Sequence, residues 1–111
     1  MQLGRVVGTV VASHKDSGLT EYKILVVQIV DLEMKPTNAY VVCVDAIGAG
    51  EGELVMTVSG SSARLTAHTR EKPVDCAIIA IIDIVEINGR RVFDKSEPAA
   101  AGVPSGRKAK T

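Results

Sequence analysis

The sequence is a succession of short aliphatic runs, mostly β-branched, separated by clusters of turn-forming residues, and that pattern leaves little room for anything but strands. Leu3 to Ser13 (LGRVVGTVVAS), Ile24 to Leu32, Ala39 to Ala46 (AYVVCVDA), Leu54 to Ser59 (LVMTVS) and Val74 to Ile87 all carry Val or Ile, which suit a pleated, half-buried surface. Hydrophobic residues make up 46% of the chain and aromatics only 3%, so the interior has to be packed from Val, Ile, Leu and Ala. The runs are too short to cross a bilayer as helices, which takes roughly 20 residues. Between them lie Asp16-Ser17-Gly18 and a Glu33 to Asn38 segment with Pro36, and after them Asn88-Gly89. The last is a two-residue hairpin signal that returns the chain through Arg90 to Phe93.

These runs predict an all-β fold: a small, OB-like five-stranded β-barrel with one short helical turn over Ser61 to Leu65 and a closing C-terminal hairpin. The 111 residues suffice for one domain with its own core, small enough to gain from oligomerisation. The expected folded unit is residues 1–94. Residues 95–111 shift to Ala, Gly, Pro, Ser and Lys, a composition that cannot bury enough surface to offset its ordering entropy, and are expected to be a disordered tail. The N-terminus lacks the pattern of a signal peptide, and Cys43 and Cys76 stand alone within apolar runs without a C-x-x-C. The expectation is therefore a cytoplasmic protein with both cysteines as reduced core residues.

The most distinctive stretch runs from Asp45 to Arg64, DAIGAGEGELVMTVSGSSAR: two small-residue loops flanking one apolar strand. Gly48-Ala49-Gly50 after a strand resembles the start of a dinucleotide fingerprint. The G-x-G-x-x-G spacing then fails at Glu53, a strand follows in place of a phosphate-holding helix, and Glu51 and Glu53 would repel phosphate. No P-loop lysine follows either. His14 and His68 lie in separate polar segments without partners at metal-ligand spacing. Ser59 and Ser61 have no nucleophile-elbow context. Asp75 and Asp83 lie eight positions apart, roughly 26 Å along an unbroken strand, too far for joint acid–base work. No catalytic, cofactor-binding or metal-binding residue is assigned. Net charge is zero, and Tyr22, Tyr40 and Phe93 are few for stacking single-stranded nucleic acid, so neither nucleic acid nor membrane is an expected partner.

The blocks LGRVVGTVVAS followed by Lys15, ILVVQ, VDAIGAGEGELVM, SGSSAR and PVDCAIIAIID resemble the bacterial microcompartment vertex proteins, the EutN/CcmL family of carboxysome and metabolosome shells. The likeness covers nearly all of residues 1–87; the extension from Glu97 to Thr111 lies outside it. The resemblance implies an OB-like subunit, a homopentamer of five copies, and a structural, non-enzymatic role in closing a shell of hexagonal tile proteins at its fivefold corners. A ring of this kind uses a heterologous interface, with two different complementary patches on each subunit. The expected subunit-contact residues are Gly48, Ala49, Gly50, Glu51, Gly52, Glu53, Gly60, Ser61, Ser62, Ala63, Arg64 and Asp75. Small residues permit close backbone approach, and Arg64 offers a planar fork of donors to Glu51 or Glu53 across the contact. His14 to Tyr22 and Thr66 to Lys72 are candidate rim segments for contacts with tiles. Plainer readings stand beside these: glycines as turn formers, Arg64 as a solvated charge, Asp75 as a strand-start residue. The alternative function is a small OB-like module that binds nucleic acid or peptide.

Overall fold

A computed structural model of the chain describes residues 1–13, 15, 17–19, 22–60, 63 and 75–97. Its strands are β1 (Gln2–Val10), β2 (Lys23–Val30), β3 (Pro36–Asp45), β4 (Leu54–Ser59), β5 (Cys76–Ile81), β6 (Ile84–Ile87) and β7 (Arg90–Asp94). The first five close into a barrel in the order β1-β2-β3-β5-β4, and β6 and β7 form a separate two-stranded sheet. β1, β2 and β3 form an antiparallel meander; β4 pairs antiparallel with both β1 and β5. β3 and β5 run parallel. This is the five-stranded barrel expected from the spacing of the aliphatic runs.

Alternation places one face of each strand inside. On β2, Leu25, Val27 and Ile29 are buried, and Leu25 and Val27 join Val6, Cys43, Val55 and Ile78 in the barrel interior. The opposite face of β3 presents Tyr40 and Val42, 58% and 54% exposed. β1 turns with the barrel through a bulge between Val6 and Gly8, the usual means of increasing local twist. A second apolar cluster forms where Tyr22 and Ala63 cover Val44 and Ala77, the residues that pair across the β3–β5 seam.

Three details differ from the sequence expectation. The run from Val74 to Ile87 is two strands instead of one. The chain leaves the barrel after Ile81, where the Ile82 N–H still donates to the Leu54 carbonyl (2.9 Å), and the Asp83 carbonyl accepts from the Lys95 N–H (2.8 Å). An uninterrupted aliphatic pattern cannot mark where a strand exchanges its partner. Pro36 begins β3 and does not end the loop before it, a placement open to proline because the first position of a strand need not donate. Cys43 and Cys76, expected as separate thiols, are disulfide-bonded inside the barrel: parallel pairing of β3 with β5 brings together two residues 33 positions apart. The Asn88-Gly89 turn is as expected, with both residues at positive φ (53° and 77°). The helical turn expected over Ser61 to Leu65 lies, apart from Ala63, outside the described residues, as does most of the 95–111 tail.

Candidate subunit-contact loops

The glycine loop leaves β3 at Asp45, and that residue shapes it. Its carboxylate, only 3% exposed, accepts the Ile47 N–H (3.2 Å) and the Ala49 N–H (2.9 Å), folding the chain back over its own entry as Asp does in local turns. This turn carries the Ala49 methyl into the interior cluster, and Gly48 follows the chain at φ 91°.

Glu53 closes the loop. One carboxylate oxygen accepts the Gly50 N–H (2.6 Å) and the other accepts from the Lys95 ammonium (2.8 Å). The Lys95 hydrogen bond, and after it the Gly50 N–H, hold the Glu53 carboxyl below its ordinary value, because both favour the charged form. β1 grips the loop's far end: the Gly52 N–H donates to the Val6 carbonyl (2.8 Å), the Val6 N–H to the Glu53 carbonyl (3.0 Å), and Arg5 Nη1 to the Gly52 carbonyl (2.9 Å). The Arg5 guanidinium also lies 5.7 Å from the centroid of the Phe93 ring, within cation–π range. Loop, β1 and C-terminal hairpin are thus one connected unit, with Gly48, Glu51 and Gly52 facing outward.

The second loop begins at Gly60, whose φ of 65° turns the chain off β4. Its N–H donates to the Asp75 carbonyl (2.7 Å), which brings Gly60 and Asp75 together next to the Ser59–Cys76 pair of β4 and β5. The Asp75 side chain is exposed. Ala63 is fully buried against Tyr22, Val44 and Ala77. Lys15 donates to the Tyr22 carbonyl (3.1 Å), which holds the covering segment from its other side.

The expected contact residues thus divide. Gly48, Glu51, Gly52, Gly60 and Asp75 are exposed, and Gly50 and Glu53 are half-buried. Ala49 and Ala63, expected at a subunit contact, have their side chains in the chain's own core (1% and 0% exposed); small size there serves internal packing. Ser61, Ser62 and Arg64 lie outside the described residues, as do much of the two rim segments. Asp45, Arg5 and Lys95 brace the glycine loop without being among the expected contact residues. The signals for the first two were present, an Asp leading into Ala-Ile-Gly and a lone arginine inside an aliphatic strand. Lys95 had none, since its partner lies 42 positions away. Among the described residues, no three of His, Cys, Asp and Glu converge as a metal site.

Residues 1–83 match the family model described as ethanolamine utilisation protein EutN/carboxysome. The carboxysome shell vertex protein CcmL of Synechococcus elongatus is 43% identical over 97 residues, covering 87% of this chain and 98% of that protein. The solved structure of Gloeobacter violaceus CcmL superposes with a TM-score of 0.83 at 40% identity, over 87% of this chain and all of that one. The GrpN pentameric microcompartment shell protein from Rhodospirillum rubrum superposes with a TM-score of 0.71, also at 40% identity, over 78% of this chain and all of that one. By the family match and by the barrel itself, the chain belongs to the EutN/CcmL family.

Proposed function

We propose that this chain is a structural shell protein of a bacterial microcompartment, five copies of which form a ring that caps the fivefold vertices and lets the polyhedral shell close. The observation that carries the reading is the likeness to the pentameric GrpN shell protein along that protein's whole length. The residues fit a mechanical role. The glycine loop is braced internally by Asp45, Glu53 and Arg5 and presents backbone and small residues outward, as a close contact between rigid subunits requires. The outward face of β3 adds the apolar pair Tyr40 and Val42.

In the ring, residues of the two loops meet the neighbouring copy: Gly48, Gly50, Glu51 and Gly52 from one, and Gly60, Ser61, Ser62, Arg64 and Asp75 from the other. Arg64 bridges to a carboxylate of that neighbour. Glu51 is the better acceptor, because Glu53 already serves Gly50 and Lys95. Hexagonal tile proteins are the lateral partners in the shell, and the chain performs no catalysis. Native mass spectrometry tests the ring: the full chain gives a discrete pentamer and Arg64→Ala loses it. A monomeric full chain refutes the reading and favours the OB-like binding module, and an undiminished pentamer in Arg64→Ala removes Arg64 from the contact. Coexpression with hexagonal tiles, followed by electron microscopy, tests the vertex role; shells that close equally well without this chain refute it.

A further inference from the structure

The Cys43–Cys76 disulfide joins neighbouring strands β3 and β5, the pair of barrel strands least held by hydrogen bonds. Every other neighbouring pair of barrel strands is antiparallel and in register at four or more positions. β3 and β5 are parallel and in register only at Val44↔Ala77 and Asp45↔Ile78. Cys43 and Cys76 stand one residue before those pairs, their Cα atoms 4.7 Å apart, a separation that a disulfide spans. The same seam anchors both small-residue loops. Asp45, two residues beyond Cys43, holds the amides of Ile47 and Ala49; Asp75, the residue before Cys76, accepts the Gly60 N–H. The segment enclosed by the disulfide contains both loops.

We propose that Cys43 and Cys76 form a redox modification site, a reversible staple whose oxidation locks the β3–β5 seam and with it the two loops. In a reducing thiol pool the sulfurs are thiols; a low-molecular-weight disulfide such as glutathione disulfide joins them. Cys76, 8% exposed against 1% for Cys43 and at the start of its strand, reacts first. Its thiolate attacks one glutathione sulfur, forming a mixed disulfide and releasing one glutathione thiolate. The Cys43 thiolate then attacks the Cys76 sulfur, forming the protein disulfide and releasing the second. The cysteines give up two protons and two electrons, and glutathione disulfide leaves as two thiols. Because both sulfurs are buried, exchange in either direction waits for the seam to open.

The test compares the full chain equilibrated in reduced or oxidised glutathione, including through an unfolding and refolding cycle, then acid-quenched and labelled with maleimide for intact mass. Two labels are expected in the reduced state and none, with an intramolecular bond, in the oxidised one. Closing a loop of this length raises the melting temperature of the oxidised chain by on the order of 10 °C and slows hydrogen exchange at the Ala49 and Gly52 amides. The Cys43→Ala/Cys76→Ala chain melts with the reduced protein and ignores the oxidant; should it fail to fold, the two redox states of the natural chain decide alone. Two labels after oxidation overturn the proposal, and so do equal melting and equal loop exchange in the two states. Native mass spectrometry of the same samples keeps the ring question separate: a redox-dependent melting temperature without a pentamer in either state removes the ring and leaves the staple.

Discussion

Replacing Gly4 with alanine puts a methyl group where the barrel has no space for one. Gly4 is buried on β1 and in register with Ile29 of β2 and Val55 of β4. A Cβ there would overlap Val27 Cγ1 and come within 2.9 Å of the Gln28 carbonyl oxygen. Val27 is fully buried, so turning it aside means an unfavourable rotamer worth roughly 0.5–1.5 kcal/mol. The carbonyl belongs to the β2 backbone and yields only if the strand pair spreads, an overpacking cost of about 1–3 kcal/mol. Against these stands a gain of about 0.4–1 kcal/mol from the stiffer unfolded chain. The net loss is roughly 0.5 to 4 kcal/mol, a fall in melting temperature of about 2 to 30 °C for a domain of this size. Gly8→Ala on the same strand is the control. Its Cβ meets nothing nearer than Val26 at 3.8 Å, and glycine within a strand costs about 0.5–1 kcal/mol relative to alanine, so that variant holds its stability or gains slightly. Both are melted at one protein concentration, because assembly contributes to apparent stability. If Gly4→Ala melts within about 2 °C of Gly8→Ala, the close approach of β1 to β2 is not what the glycine serves.

Asp45→Ala removes the acceptor for two amides, one of them on buried Ala49; a loss of about 2 to 4 kcal/mol and faster hydrogen exchange at Ala49 are expected in denaturant titration and exchange experiments. Unchanged exchange there would show that the loop is ordered by other contacts. Glu53 gives the loop a pH dependence. Since its folded pKa is lowered, chiefly by the Lys95 hydrogen bond, its contribution is fully present above the ordinary glutamate value of 4.5 and is lost as the pH falls through the lowered folded value. Backbone NMR of the 84–97 segment should therefore show the hairpin loosening from the loop only in acid, and Glu53→Gln should abolish that transition while costing less than about 1 kcal/mol at neutral pH, since the pair is partly solvated.

The fold was legible in the sequence to the extent that it depends on local chemistry. Aliphatic runs of strand length, Asn88-Gly89 and the glycines after Asp45 each act within a few residues, and β1 to β4 and the hairpin turn appear where those signals fall, give or take a few residues at their ends. What the sequence concealed depends on pairings between distant segments. The exit of the chain from the barrel at Ile82 is set by Leu54, the Cys43–Cys76 bond by the parallel register of β3 and β5, and the place of Lys95 by Glu53. In the candidate site, exposure separated residues that size alone had grouped. Ala49 and Gly50 are neighbours of similar bulk, yet the Asp45 turn sends the Ala49 methyl inward and leaves the Gly50 backbone to pair with Glu53.

The strand order also dictates when the barrel can close. β1, β2 and β3 pair in sequence as an antiparallel meander and are complete at Asp45, so this half can begin to form while later residues are still being synthesised. Both closing pairings reach back across the chain, β4 to β1 and β5 to β3, and β5 begins only at Cys76. Until then the inner face of the meander, Val6, Leu25, Val27 and Cys43, has no opposite wall. Nonlocal closure of this kind is slow and leaves apolar surface exposed to other chains. The step most open to contacts with other chains is therefore the one between completion of β3 and the pairing of β5 with it.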